Sequence, residues 1–87
     1  MNLEEIKEKT VTLCAQIFES SGVDTDLLEY VDFVDDLGMD SITFITLIVE
    51  IEAAFDITVP DDLLLIENFK NMDDVIGVVF DQLSESV

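Results

Sequence analysis

Apolar residues recur at intervals of three and four along most of this 87-residue chain, and this spacing constrains its fold more than any other feature. Runs with this spacing occupy residues 3–18, 42–55 and 72–83, and each could form about three turns of α-helix or more. Half-buried strands would instead alternate apolar and polar residues. We therefore predict an all-α fold in a single domain over residues 1–87. The expected architecture is a four-helix bundle with three long helices, one short helix and a long first loop.

Residues that favour helix ends separate these runs. Three side chains of the type that caps helix N-termini come just before the first, second and last helices: Asn2, Asp40 and Asn71. Ser20-Ser21-Gly22 should end the first helix, and the second should run to about Phe55. Because Pro60 prevents its continuation, a separate short helix should follow over residues 61–66.

The connection over residues 22–40 is long for so small a domain and rich in apolar residues. We expect these side chains to lie on the core, with a short helical turn near residues 25–30. The apolar residues concerned are Val23, Leu27, Leu28, Tyr30, Phe33, Val34 and Leu37.

The chain contains 21 acidic and 3 basic residues, which gives it a net charge of −18. So negative a surface repels nucleic acid and anionic lipid and attracts basic protein patches. Disorder is common in highly charged chains, but here 49% of the residues are hydrophobic and recur at helical spacing. We therefore expect a folded chain with protein partners and no nucleic-acid partner. We also expect a monomer.

Histidine is absent, which removes the serine–histidine nucleophile pair, most zinc sites and the commonest general base. We expect no catalytic residue and no dedicated metal site, because the acidic residues between 24 and 36 lack the spacing of an EF-hand loop. The one cysteine, Cys14, lies on the first apolar stripe and is interpreted as a buried structural thiol. A lone cysteine fits a reducing compartment. With no apolar stretch near the ~20 residues of a membrane span and no signal-peptide pattern, we expect a cytoplasmic protein.

The segment Asp35-Asp36-Leu37-Gly38-Met39-Asp40-Ser41-Ile42 joins the long loop to the second helix. Gly38 permits a tight turn at positive φ, and Asp40 as N-cap places Ser41 at the first helical position with its hydroxyl in water. An exposed serine there suits modification by another enzyme, although a serine that merely helps cap the helix is the alternative. A phosphodiester on Ser41 would lie at a helix N-terminus, whose dipole favours negative charge.

This segment resembles the attachment site of acyl carrier proteins, whose pattern reads Asp/Glu-x-Gly-x-Asp-Ser-Leu/Ile. Asp36, Gly38, Asp40, Ser41 and Ile42 occupy those positions in order, and the resemblance covers essentially the whole chain. It implies that Ser41 bears a covalent 4′-phosphopantetheine arm, whose terminal thiol holds an acyl group as a thioester. It also implies that Asp40 is recognised by the transferase that installs the arm.

The second helix departs from the family pattern in its charge. Carriers of fatty acid synthesis commonly have acids two and five residues after the serine, where this chain has Thr43 and Thr46. Near the end of the helix, Ala53 and Ala54 replace acids, so that only Glu50 and Glu52 remain. These departures favour a specialised carrier over a generic fatty acid carrier.

The same helix carries two apolar lines. One follows the spacing of a core face and consists of Phe44, Leu47, Ile48, Ile51 and Phe55. The other lies off that face and consists of Ile42, Ile45 and Val49 with Ala53. The second line is either a wider core face or an exposed recognition surface next to Ser41, to which Glu50 would add a charge.

These features predict a non-catalytic carrier that presents acyl or aminoacyl thioesters to enzymes of fatty acid, polyketide or related pathways. The resemblance implies as partners a phosphopantetheinyl transferase, an acyl-loading ligase or acyltransferase, and condensing or transferring enzymes. The alternative, from another class, is an acidic helical adaptor that binds a basic protein and has no prosthetic group.

Overall fold

A computed structural model describes residues 2–19, 22 and 24–85, and its regular elements are all helical. The long helices are α1 (Leu3–Ile17), α2 (Ser41–Phe55) and α3 (Met72–Glu85). Short 3₁₀ helices cover Thr25–Tyr30, Asp61–Leu63 and Ile66–Asn68. The described residues contain no strand, and the predicted all-α fold with three long helices is confirmed.

Side-chain caps set the starts of the long helices as the sequence predicts. Oδ1 of Asn2 accepts the N–H of Glu5 at 2.9 Å, and Oδ1 of Asn71 accepts the N–H of Asp74 at 2.8 Å. These bonds satisfy amide groups that have no acceptor within the helix. The first helix ends at Ile17, slightly before the predicted end at residues 20–22. Two residues of that predicted end, Ser20 and Ser21, lie outside the described residues.

The short helix predicted over residues 61–66 forms as two separate 3₁₀ turns, Asp61–Leu63 and Ile66–Asn68. Between them the backbone leaves the helical region, and Leu65 is extended at φ −121° and ψ 134°. One helical face could not bury four consecutive apolar side chains. Interrupting the helix lets Leu63, Leu64 and Ile66 pack against the core and leaves Leu65 exposed.

The helical turn predicted near residues 25–30 is present, but only part of the long loop packs on the core. Leu28 and Phe33 are fully buried, whereas the side chains of Leu27 and Tyr30 are 51% and 79% exposed. A 3₁₀ helix has three residues per turn, so Leu27 and Tyr30 share a face opposite the core. The expectation of burial is wrong for these two residues, and Val23 lies outside the described residues.

The core lies between the three long helices and the loop. Two tilted aromatic pairs tie the connecting segments to the helices: the rings of Phe18 and Phe33 are 4.8 Å apart, and those of Phe44 and Phe69 are 5.5 Å apart. Further fully buried side chains come from all three long helices: Ile6, Thr10, Cys14, Leu47, Ile51, Met72, Val75 and Val79. Leu3 and Phe80, at opposite ends of the predicted stripes, remain about half-exposed.

Burial sets the reactivity of Cys14. Its side chain has no exposed surface, and desolvation raises the pKa of the thiol to about 12. We predict that iodoacetamide at pH 8 leaves the folded protein unmodified, because thiolate is the reacting species and is nearly absent. The same reagent should alkylate Cys14 fully in guanidinium chloride, and intact mass spectrometry distinguishes the two results. Equal rates of alkylation in the folded protein and in guanidinium chloride would contradict the burial of Cys14.

The acidic surface is poorly compensated by basic groups. Lys7 bonds Glu29 at 2.8 Å, which is the one salt bridge among residues 2–19, 22 and 24–85. The ammonium of Lys9 lies 5.7 Å from the centre of the Phe55 ring, within cation–π range. Most carboxylates therefore repel one another without a nearby cation.

We predict that the melting temperature rises as NaCl increases from about 10 to about 150 mM, since the screening length falls from about 30 to about 8 Å. Tetramethylammonium chloride at equal ionic strength should act similarly, because general screening needs no particular cation. A melting temperature indifferent to both salts would show that net repulsion does not govern stability.

Candidate functional site

A tight turn over residues 33–37 leads into α2 and is capped at its start by Asp32. Oδ1 of Asp32 accepts the N–H groups of Val34 and Asp35 at 2.8 and 2.7 Å. In return, the N–H of Asp32 donates to Oδ2 of Asp36 at 2.7 Å. This reciprocal pattern is similar to the capping box at the start of many helices. Asp36, predicted as part of the attachment motif, thus bonds back into the turn.

Gly38 ends the turn in the left-handed conformation, at φ +68°, as the sequence predicts. Its N–H donates to the carbonyl of Val34 at 3.1 Å, which is the bond of a left-handed helix cap. A Cβ at this position would meet open space, so the demand for glycine comes from the backbone angle and not from crowding.

Both ends of the turn are fixed in the core. Phe33 and Met39 are buried, and the N–H of Met39 donates to the carbonyl of Phe33 at 2.8 Å. The N–H of Phe33 donates to the carbonyl of Lys70, just before α3. The segment that delivers the chain to Ser41 is therefore held to another part of the fold by backbone hydrogen bonds.

Asp40 and Ser41 occupy the predicted positions at the start of α2. Oδ1 of Asp40 accepts the N–H of Thr43 at 2.9 Å, and Ser41 is the first helical residue and exposed. The hydrogen bond from Thr43 lowers the pKa of the Asp40 carboxyl below its ordinary value. The contribution of this cap to stability is therefore present above the pKa of the unfolded chain and is lost as the pH falls through the lower folded value.

The surroundings of Ser41 fit a phosphodiester on its hydroxyl. The exposed position gives access to another protein and room for a flexible arm in solvent. The dipole at the start of α2 favours negative charge, although the Asp40 carboxylate already accepts the amide of Thr43. A phosphate on Ser41 would therefore lie towards solvent and would not replace the cap.

The second apolar line of α2 is exposed. The side chains of Ile42, Ile45 and Val49 are 77%, 61% and 55% exposed, and Ala53 is exposed as well. The interpretation of this line as a wider core face is therefore wrong. The predicted core face behaves as expected, with Phe44 half-buried and its other members buried: Leu47, Ile48, Ile51 and Phe55.

The two glutamates of α2 differ in their surroundings. Oε2 of Glu52 accepts the N–H of Val59 at 2.9 Å and so holds the connection that follows the helix. Glu50 is exposed and lines a shallow groove of about 380 Å³ between α1 and α2, together with Leu13, Ile17 and Ile42 among others. Of these two acids, Glu50 is the one exposed for contact with a partner.

A second groove, on the other side of the exposed line, was not predicted from the sequence. Its volume is about 270 Å³, and its lining is apolar: Phe44, Ile45, Ile48, Val49 and Leu64. Leu64 comes from the connection between α2 and α3, and periodicity along one helix cannot reveal such a contact. The apolar run from Leu63 to Ile66 was the available signal.

Within the described part of the chain, no three His, Cys, Asp or Glu side chains are grouped so as to hold a metal ion. In the same part, none of the helices combines the length and apolarity needed to cross a membrane.

Comparison with known proteins gives consistent results. Residues 11–79 match the family described as "Phosphopantetheine attachment site". The chain is 36% identical over 80 residues to an acyl carrier protein of Guillardia theta, covering 91% of this chain and 93% of that protein. It is 38% identical over 60 residues to an acyl carrier protein of Bdellovibrio bacteriovorus, covering 68% of this chain and 74% of that protein. It is also 27% identical over 79 residues to "Aminoacyl carrier protein 1" of Bradyrhizobium diazoefficiens, covering 91% of this chain and 87% of that protein.

The matched region contains the capped turn, the start of α2 and most of the core. The family match covers well over half of the chain, and the relatives agree with it. The chain therefore belongs to the acyl carrier protein family, whose members are non-catalytic carriers with a 4′-phosphopantetheine prosthetic group.

Proposed function

We propose that Ser41 is the attachment residue for the arm and that this carrier holds acyl or aminoacyl groups as thioesters on the terminal thiol. It presents them to biosynthetic enzymes of fatty acid, polyketide or related pathways. One observation carries the assignment: Ser41 is exposed as the first residue of α2, three residues after Gly38 ends a turn that is capped at both ends.

Attachment makes Ser41 the nucleophile in a reaction that another enzyme catalyses. A bond forms between Oγ of Ser41 and the pantetheine-bearing phosphorus of coenzyme A. The bond from that phosphorus to the bridging oxygen breaks, and adenosine 3′,5′-bisphosphate leaves. The serine proton passes to a base on the transferase, because this chain has no histidine to accept it.

The exposed line of Ile42, Ile45 and Val49 supports docking that depends mainly on apolar contact. It begins beside Ser41 and lies between two grooves. The acid positions of the family are Thr43 and Thr46 in this chain, and Glu52 is engaged with Val59, which leaves Glu50 as the exposed acid of the helix interior. We propose that partner enzymes bind this exposed line and Glu50. These partners are the transferase, the loading ligase or acyltransferase, and condensing or transferring enzymes.

The apolar groove supports an acyl cargo more than an aminoacyl cargo. Its lining consists of Phe44, Ile45, Ile48, Val49 and Leu64, which offer no charged partner to an amino group. An alkyl chain lying there would gain roughly 0.8 kcal/mol for each methylene removed from water. Intact mass of the protein purified from its native cell identifies the cargo directly.

We predict that the wild-type chain gains one arm on incubation with coenzyme A and a promiscuous transferase, and that Ser41→Ala gains none. The variant should fold normally, because the hydroxyl is exposed and the Asp40 cap remains. Ser84→Ala, which removes an exposed hydroxyl from α3, is the matched control and should be modified as the wild type.

Intact mass measures all three proteins. Modification of Ser41→Ala would show that the attachment residue is wrong. A wild-type chain that stays unmodified would favour the adaptor without a prosthetic group.

We predict that Ile45→Glu weakens the use of partner enzymes while its stability stays within about 0.5 kcal/mol of the wild type. Ile48 lies three residues further along α2 and is buried. Ile48→Glu should therefore unfold the protein, because it forces a charge into the core. Thr46→Glu adds the same charge at an exposed neighbouring position and should impair partner use less.

Thermal melts and rates of arm attachment measure both effects. If Ile45→Glu lost as much stability as Ile48→Glu, its side chain would belong to the core. If Thr46→Glu impaired attachment as much as Ile45→Glu does, the added charge would explain the loss, and not the change in the exposed apolar line.

A further inference from the structure

We infer that Asp32, which lies outside the attachment motif, is a positioning residue for the modification of Ser41. This inference rests on the proposed attachment of the arm to Ser41. It states that the Asp32 carboxylate orders the turn that presents the serine, and that it does so through hydrogen bonds and not through its charge.

One oxygen of the Asp32 carboxylate accepts two backbone amide groups within the chain. This oxygen, Oδ1, accepts the N–H groups of Val34 and Asp35 at 2.8 and 2.7 Å. The carbonyl of Asp32 also accepts the N–H groups of Asp36 and Leu37, at 2.8 and 3.3 Å. Asp32 thus accepts four of the five backbone amide groups of the turn, those of residues 34–37.

The order of this turn reaches Ser41 through a short path. The turn begins at Phe33 and is followed by Gly38 and Met39, and the N–H of Met39 donates to the carbonyl of Phe33. Met39 is buried and directly precedes the Asp40 cap. If the start of the turn loosens, the position of the cap and of Ser41 relative to the core loosens with it.

A neutral amide could replace this carboxylate. Asparagine caps helix starts as well as aspartate does, because its side-chain oxygen accepts the same amide groups. Asp36 is in a similar position, since its Oδ2 accepts the N–H of Asp32. Recognition of charge by the transferase and ordering of the turn therefore predict different results for asparagine variants.

The experiment compares Asp32→Ala, Asp32→Asn and the wild type in steady-state attachment of the arm, at a temperature well below the melting transitions. Loss of a cap typically changes an equilibrium about fivefold. We expect Asp32→Ala to raise the KM of the transferase for the carrier, by at most about fivefold and with little change in kcat, because fewer molecules present the competent turn. Asp32→Asn should restore the wild-type KM.

Asp35→Ala is the matched control, because it removes the same charge from the same turn while its backbone N–H still bonds Asp32. Its KM should equal that of the wild type. Amide hydrogen exchange gives a readout independent of the enzyme: exchange at Val34 and Asp35 should accelerate in Asp32→Ala and return to the wild-type rate in Asp32→Asn.

Two results would overturn the inference. If Asp32→Asn raised the KM as much as Asp32→Ala does, the transferase would be recognising the negative charge of Asp32. Wild-type kinetics of Asp32→Ala would mean that the turn does not limit modification. Failure of the proposed function looks different: the wild-type chain itself would gain no arm, and the inference would fall with it.

Discussion

The position of Ser41 depends on how Phe33 is held. Its ring packs against Phe18 at the end of α1, its N–H donates to the carbonyl of Lys70 before α3, and its carbonyl accepts the N–H of Met39 before α2. One residue of the loop thus contacts the surroundings of all three long helices. Because its ring is fully buried, moving it would open the core, so the loop is fixed at this point by packing as well as by backbone bonds.

This arrangement separates the parts of the molecule that are stable from those that meet other proteins. The core faces of α1, α2 and α3 bury their apolar side chains, while Ser41 and the exposed line of α2 lie outside the core. Changes on that outer surface therefore cost little stability. A carrier that must meet several enzymes in turn needs such a surface, and a rigid helix presents it with less loss of entropy than a mobile loop would.

Local signals in the sequence predicted much of the fold and of the site. The caps Asn2, Asp40 and Asn71, the left-handed Gly38 and the exposure of Ser41 follow from interactions within a few residues, and periodicity identified the long helices. Contacts between distant segments were not predictable in this way. The groove formed with Leu64 and the exposure of Leu27 and Tyr30 depend on how segments pack in three dimensions.

The motif residue Asp36 illustrates the same limit. Its place in the pattern associated it with the attachment site, whereas its carboxylate accepts the N–H of Asp32 and closes the turn. A sequence pattern shows which residues accompany a function, but not which of them touch the partner. Only the hydrogen bonds separate a residue that shapes the loop from one that is presented on it, such as Ser41.

The burial of Cys14 bears on the chemistry of the cargo. A thioester exchanges readily with any accessible thiolate, and the products of such an exchange are another thioester and a free thiol. A reactive cysteine on the surface could therefore take the acyl group from the carrier's own arm, or form a mixed disulfide with the arm's thiol. With its single cysteine enclosed in the core and its thiol pKa raised to about 12, this chain presents no competing thiolate of its own to the cargo.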